Sequence, residues 1–393
     1  MRGRDGEVEF TLLCQKAMSC KTISTAPNSA SSPCQFAAAY SVLEDAIRRR
    51  AFPGCAFGVL AGGEAVLVDA LGGFTYEQDA PVVAPETLYD LASVTKVVAT
   101  TAAAMLLVER GLLDLETPLG DLLPGFVVGR SRGDPARHVK LHHLLAHNSG
   151  LPGYVEFFRT ASTPSALLRA CLTLPLEAEP GVRAEYSDPG FILLGKALEV
   201  RTRENLASWV HREVFSPLGL SDTGFCPPHR RHASIPPTEE DSSLRRRRIQ
   251  GEVQDENAWR LQGVAGHAGL FSNVPDLLRF SGEILKVTAR PAPATEMPGL
   301  FHREAIEFFA RRQGPEGSSR ALGWDTPSEK SSSGHYFSLH SIGHLGYSGC
   351  SLWIDLDASI AVVLLTNRTW PDRQSQLIRE VRPAFHDAIR EAL

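Results

Sequence analysis

The sequence predicts an α+β protein in which strands from both ends of the chain share one antiparallel sheet while the middle is mainly helical. Three observations carry this. An apolar hairpin pattern lies near the start: Gly54-Cys55-Ala56-Phe57-Gly58-Val59-Leu60, then Gly62-Gly63, then Ala65-Val66-Leu67-Val68-Asp69-Ala70. A second lies near the end: Ser351-Leu352-Trp353-Ile354-Asp355, a turn near Asp357-Ala358, then Ile360 through Thr366. From about 97 to 285 there is no sustained strand alternation, and helical and loop patterns fill the span.

Taken in order, residues 1–35 end in the small, polar run Asn28-Ser29-Ala30-Ser31-Ser32-Pro33 and are expected to form a flexible extension. The folded domain, 36–393, opens with a helical stretch from Ala37 to Arg50, and the Gly-Gly pair then turns the first hairpin. A short extended run, Thr87 to Leu91, gives way to an apolar helix over Val97–Val108 with Gly111 as its stop. Ser375 to Leu393 reads as an amphipathic helix. The sheet part is expected over about 36–96 and 286–393 and the helical part over about 97–285. The cleft between them is the expected place for a site.

A chain of 393 residues with a net charge of −5 has neither the basic excess of a nucleic-acid binder nor that of a protein bound to anionic membranes. The basic runs Arg230-Arg231 and Arg245-Arg246-Arg247-Arg248 sit in Pro- and Ser-rich sequence and read as solvated loop. No apolar run is read as long enough to span a membrane, and alternating charges in the first dozen residues replace a signal-peptide core. Seven scattered cysteines without a Cys-x-x-Cys pair suit reduced thiols, so a cytoplasmic location is expected. Nothing calls for a cofactor or metal: His143 and His147 have helical ligand spacing but no accompanying acid. The sequence carries no reading of oligomeric state.

The chemistry begins at Ser93-Val94-Thr95-Lys96. On a helix, residues i and i+3 share a face, so Lys96 reaches the Ser93 hydroxyl, and a helix N-terminus favours developing negative charge. On its own the motif is weak, because Ser93 could simply cap the helix. Tyr186, in Glu185-Tyr186-Ser187-Asp188-Pro189-Gly190, is a candidate base if an ammonium such as Lys96 lowers its pKa. Gly343-His344-Leu345-Gly346-Tyr347-Ser348-Gly349, just before the C-terminal hairpin, offers glycines for close backbone approach and edge N–H groups. Gly346-Tyr347-Ser348-Gly349-Cys350 lacks the last glycine of a nucleophile elbow, which disfavours an α/β-hydrolase.

In order and spacing these pieces resemble the serine hydrolases of the class C β-lactamase and penicillin-binding-protein superfamily. The resemblance runs from about residue 37 to the end. It takes in Leu91-Ala92-Ser93-Val94-Thr95-Lys96, Leu141 through Gly153, Tyr186-Ser187-Asp188, Gly263 through Ser272, His344-Leu345-Gly346 and Leu365-Thr366-Asn367-Arg368. It implies a β-lactamase/transpeptidase-like fold and an acyl-enzyme mechanism. Ser93 would be the nucleophile, Lys96 and Tyr186 would share the proton transfers, and the backbone N–H groups of Ser93 and Tyr347 would form the oxyanion hole.

Asp188 stands where many relatives have asparagine, as a contact to substrate and lysine; its charge would keep Lys96 protonated and favour Tyr186 as base. His344 stands where β-lactamases have lysine, which weakens the case for a fixed cation facing a substrate carboxylate. Gly346 completes that substrate-binding triplet. Gly266-His267-Ala268-Gly269 and Pro371-Asp372-Arg373 are most similar to a branch that includes family VIII esterases and N-acetylmuramyl-L-alanine amidases. His267 reads equally as a cleft-lining or a loop-packing residue, and Arg373 as a contact for a substrate carboxylate or an exposed side chain.

The expected activity is cleavage of a small ester, amide or muropeptide by an esterase, amidase or peptidase. The alternatives are a β-lactamase or D-alanyl-D-alanine carboxypeptidase and, from another class, a penicillin-binding sensor or scaffold that deacylates slowly.

Overall fold

The computed structural model describes residues 35–288 and 299–393; the expected extension over 1–35 lies, but for its last residue, outside them. Five antiparallel strands form the main sheet: β1 (Gly54–Ala61), β2 (Glu64–Gly72), β3 (Ser341–Leu345), β4 (Ser351–Asp355) and β5 (Ile360–Thr366), in the order β2-β1-β5-β4-β3. The ends of the chain meet at the β1–β5 pair, where Ala56 faces Leu365 and Val59 faces Val362. Gly62 and Gly63 turn the first hairpin with φ of 60° and 88°, a left-handed pair that glycine adopts without steric cost.

Both faces of the sheet are covered, which is why β1 and β5 read as unbroken apolar runs and not as alternating ones. Phe57, Val59, Trp353, Val362 and Leu364 pack one face against helices α1 (Ala37–Arg48) and α5 (Ile378–Ala392). Ala56, Leu352, Ile354, Val363 and Leu365 join the larger core on the other face. That core includes α2 (Ala102–Glu109), α3 (Asp188–Thr202) and α4 (Val274–Thr288). Although α4 starts within the span expected to be helical insertion, it packs directly on β1 and β5 and belongs to the sheet layer.

Three readings need correction. The stretch Ala92–Glu109 has the length and apolarity of a membrane span, but 83 % of it is buried inside the protein, so its character is that of a core helix. The span from about 97 to 285 holds small strands, Gly224–Phe225 and Leu270–Ser272, the latter paired with Tyr89–Asp90 of the expected extended run, and a hairpin of Glu239–Asp241 with Arg247–Ile249. Arg245 is not solvated: its side chain is buried, donates to the carbonyls of Val253 and Gln254, and lies beside Asp241. Cys55, Cys171, Cys226 and Cys350 are free thiols.

Candidate active site

Ser93 sits at the start of a continuous helical run of uneven pitch. A 3₁₀ turn (Ala92–Val94) leads into a π-type turn (Lys96–Thr101) and then α2. Ala92, directly before the serine, has φ of 46°, a strained value for a residue with a Cβ. Asp90 holds this bend from within: its buried carboxylate accepts from the N–H groups of Ala92 (2.9 Å) and Gln254 (2.7 Å). Burial pushes Asp90 up to about 6 against those hydrogen bonds.

Lys96 is fully buried, and all three ammonium protons have acceptors. They are Ser93 Oγ at 3.0 Å, Asp188 Oδ1 at 2.7 Å and the His267 carbonyl at 3.0 Å. Burial opposes the charge, but Asp188 and Tyr186 outweigh it, so the lysine is held above its ordinary pKa. Tyr186 lies alongside, its ring centroid 4.8 Å from Lys96 Nζ and its hydroxyl facing both Lys96 and Ser93. Burial raises the phenol and Asp188 adds to this, while Lys96 pulls it down. Lys96 thus lowers the phenol as expected, but burial outweighs it and the net direction is upward. The resting pair is therefore an ammonium beside a neutral phenol.

Local sequence explains why Tyr186 and Asp188 stand here. Ser187 caps α3, accepting from Gly190 N–H at 3.0 Å, and Pro189 fits the first turn, so Asp188 begins the helix where negative charge is favoured. The segment is then templated from outside. Glu185 N–H donates to the His147 carbonyl (2.7 Å), Ser187 N–H to His147 Nδ1 (3.0 Å), and Asp188 N–H to the Gly153 carbonyl (2.9 Å). The His147 ring also packs against Tyr186 at a tilt of 38°, with centroids 4.6 Å apart. Read from the sequence as a packing residue, His147 is an anchor for the three residues centred on Tyr186. No local signal marked it, because the contact spans about forty positions.

Across the cleft, β3 ends at Leu345 and is followed directly by Gly346 and Tyr347. Gly346 is glycine because a Cβ there would come 2.4 Å from the Leu91 carbonyl oxygen, so the strand end can press against the turn carrying Ser93. Ser348 Oγ donates to the Asp90 carbonyl at 2.7 Å and locks the same junction. The amide N–H groups of Ser93 and Tyr347 have no acceptor among the described residues.

His344 is buried and neutral. Burial, with Lys96 and Arg320 behind it, holds its pKa far below the ordinary value, and its Nδ1 donates to the Leu345 carbonyl at 2.8 Å. It therefore supplies no cation for a substrate.

A cavity of about 580 Å³ opens over Ser93, bounded by Tyr154, Tyr186, Asp188, Tyr347 and Arg373. His344, Gly346 and His267, expected to contact substrate, lie behind its wall, which is formed at those points by Tyr347 and Ala268. The buried His267 side chain bonds Asp255 at 2.9 Å, which settles its two readings in favour of packing; it serves Lys96 only through its carbonyl. Burial works against the Asp255 carboxylate, yet His267 and the Ala258 N–H hold it at about 2.

Arg373 does line the cavity, but its guanidinium is clamped between Glu239 and Glu256, the latter at 3.0 Å. Both carboxylates line the same cavity, as does Glu156, which pairs with Arg159. A second cavity of about 360 Å³ lies behind Gly266 and contains none of these side chains.

The β-lactamase family profile matches residues 40–383. A candidate D-alanyl-D-alanine carboxypeptidase of Salmonella typhi is 30% identical over 308 residues, covering 72% of this chain and 69% of the relative. The N-acetylmuramyl-L-alanine amidase of Bacillus subtilis (strain 168) is 29% identical over 312 residues, covering 72% and 68%. Among solved structures, EstCE1, described as a hydrolase with promiscuous acyltransferase activity, superposes with a TM-score of 0.70 at 24% identity over 90% of this chain and 99% of its own. That last likeness is one of fold. With a profile match across most of its length, the chain belongs to the β-lactamase family.

Proposed function

We propose that this protein is a serine hydrolase that cleaves an ester or amide through an acyl-enzyme on Ser93. The observation that carries the proposal is the Lys96 ammonium, fully buried and shared between Ser93 Oγ, Asp188 and the His267 carbonyl. Because Lys96 donates to Ser93 Oγ, the serine's own proton points elsewhere, and Tyr186, once it has lost its own proton, is the neighbouring group able to take it.

The Tyr186–Lys96 pair first gives up one proton to solvent, leaving a Tyr186 phenolate beside the Lys96 ammonium; Ser93 Oγ then attacks the substrate carbonyl while its proton passes to that phenolate. The oxyanion accepts from the N–H groups of Ser93 and Tyr347. The pair returns the proton to the leaving alcohol or amine as the carbon–oxygen or carbon–nitrogen bond breaks. Water then attacks the acyl-enzyme, losing its proton to the same pair, which passes it to Ser93 Oγ as the acyl carbon–oxygen bond breaks and the carboxylic acid leaves.

The substrate is narrowed by charge. Of the cations lining the cavity, Arg373 is held by two carboxylates and Arg159 by one. Glu239 and Glu256 together exceed Arg373 by one negative charge. This supports an ester or amide with no carboxylate at the rim, and it disfavours a dedicated β-lactamase or D-alanyl-D-alanine carboxypeptidase. The names of the relatives favour a second reading, an N-acetylmuramyl-L-alanine amidase or, against the charge argument, a D-alanyl-D-alanine carboxypeptidase.

The test is a panel of p-nitrophenyl esters, a chromogenic cephalosporin, D-amino-acid peptides and muropeptides, each run with the protein and with Ser93→Ala. Sustained turnover of neutral esters that Ser93→Ala abolishes is expected. A single stoichiometric burst would instead indicate a slowly deacylating binding module, and turnover confined to carboxylate-bearing substrates would reverse the charge argument.

A further inference from the structure

The C-terminal helix α5 carries Arg382, a guanidinium that is only 6% exposed and has no carboxylate within ion-pair distance among the described residues. Burying an unpaired cation is costly, and such groups are retained where fixed dipoles replace the missing anion. Here three backbone carbonyls do so: Gly346 at 2.6 Å, Cys350 at 2.8 Å and Gly349 at 3.2 Å. All belong to the loop that links β3 to β4 and faces Ser93. The groups acting on the guanidinium are Cys350 and Arg368, and the neighbouring His386 on α5 feels its charge in turn. Burial lowers the guanidinium to about 10, so it stays charged at neutral pH.

The shortest of these bonds bears directly on the site. The Gly346 carbonyl and the Tyr347 N–H are two ends of one peptide unit, pointing in opposite directions because the peptide is trans. A charge-assisted hydrogen bond to the carbonyl draws electron density away from the nitrogen and makes the opposite N–H a stronger donor. On the Tyr347 carbonyl, one peptide further on, Arg368 Nε donates at 2.8 Å, so the loop is held from behind by two guanidinium groups.

We propose that Arg382 is a positioning residue for the oxyanion hole: from the side of the loop remote from substrate, it orients and polarises the peptide whose Tyr347 N–H meets the developing oxyanion. This rests on the acyl-enzyme reading above. Its effect belongs to the tetrahedral state and not to substrate binding.

The test uses Arg382→Met, which keeps an apolar stem without charge, and Arg382→Lys, which keeps a cation but not the fork. Thermal unfolding is followed for both. With a p-nitrophenyl ester, kcat of the Met variant should fall by roughly tenfold or more while KM stays within about twofold. Affinity for phenylboronic acid, whose Ser93 adduct is tetrahedral, should fall in the same ratio as kcat. The Lys variant should recover part of the loss and gain an alkaline limb in kcat, absent from the parent, as the introduced amine deprotonates.

A folded Met variant with kcat and boronate affinity within twofold of the parent would overturn the proposal. If the Met variant does not fold, a Lys variant without the added alkaline limb would overturn it. Loss of activity through KM alone would assign Arg382 a purely structural role and reject the inference. If Ser93→Ala were as active as the parent, the acyl-enzyme reading would fail before Arg382 is considered.

Discussion

The floor and the rim of the cavity both hold charge out of water, and they balance it differently. At the floor one lysine meets one carboxylate, Asp188, and its remaining protons are used by Ser93 and a carbonyl. At the rim one arginine meets two carboxylates, Glu239 and Glu256, and one negative charge is left over. Once the phenol beside this pair has lost its proton, the phenolate can take a proton and return it next to a fixed ammonium, which suits repeated acid and base steps. An unbalanced trio exchanges nothing, but it sets which ligand charges are tolerated. The floor thus bears on reaction class and the rim on substrate class.

The largest effect should come from removing the floor's cation. Lys96→Met keeps the stem and removes the charge, and kcat/KM for the best ester should fall by about 10²–10⁴-fold. Steady-state rates of the folded variant check this, and a loss below tenfold would separate the lysine from the proton transfers.

Next in size is the balance itself. Asp188 is a main contributor raising Lys96 against burial, so Asp188→Asn lets burial dominate and lowers the lysine. The pair in the parent titrates above the ordinary lysine and tyrosine values, so kcat/KM should still be rising on the alkaline side. In Asp188→Asn that limb should move to lower pH. A kcat/KM profile from pH 5 to 10.5 measures it, and an unmoved limb would detach Asp188 from the lysine's proton. His344, held neutral by burial and by the nearby cations, should contribute no limb between pH 6 and 8.

The smallest effect belongs to the rim. Glu256→Gln leaves Arg373 paired with Glu239 alone and brings the trio to neutrality. Esters carrying a carboxylate should gain about threefold in kcat/KM relative to neutral esters. Competition between matched charged and neutral esters would show this, and an unchanged ratio would remove the rim from substrate choice.

The contrast between floor and rim also marks what could be read from sequence. Both hairpins were legible because β1, β4 and β5 are buried on two faces and so form continuous apolar runs, while the Gly62-Gly63 turn marks the more exposed β2. Ser341–Leu345, read from the sequence either as an edge strand or as a turn before one, is an edge strand whose apolar pattern Gly343 and His344 break. The glycine is needed since a Cβ there would come 2.3 Å from the Trp353 ring, a cross-strand constraint with no local trace. Ser93, Lys96, Tyr186 and Asp188 stood out because helix starts and caps have short-range signatures.

His147, Arg382 and the Glu239–Arg373–Glu256 trio did not, since each acts through partners tens to more than a hundred positions away. Arg245 failed for a similar reason: an arginine run looks solvated until the carbonyls of Val253 and Gln254 are brought to it by the fold.

The covalent intermediate offers the most direct test. The protein should be mixed with a slowly deacylating p-nitrophenyl ester, quenched in acid within the first turnover, and mapped by peptide mass spectrometry. One acyl group per chain on the peptide carrying Ser93, absent from Ser93→Ala, is the expected result. Release of p-nitrophenol with no acyl group on Ser93, or with the acyl group on another residue, would contradict serine acyl transfer at this site.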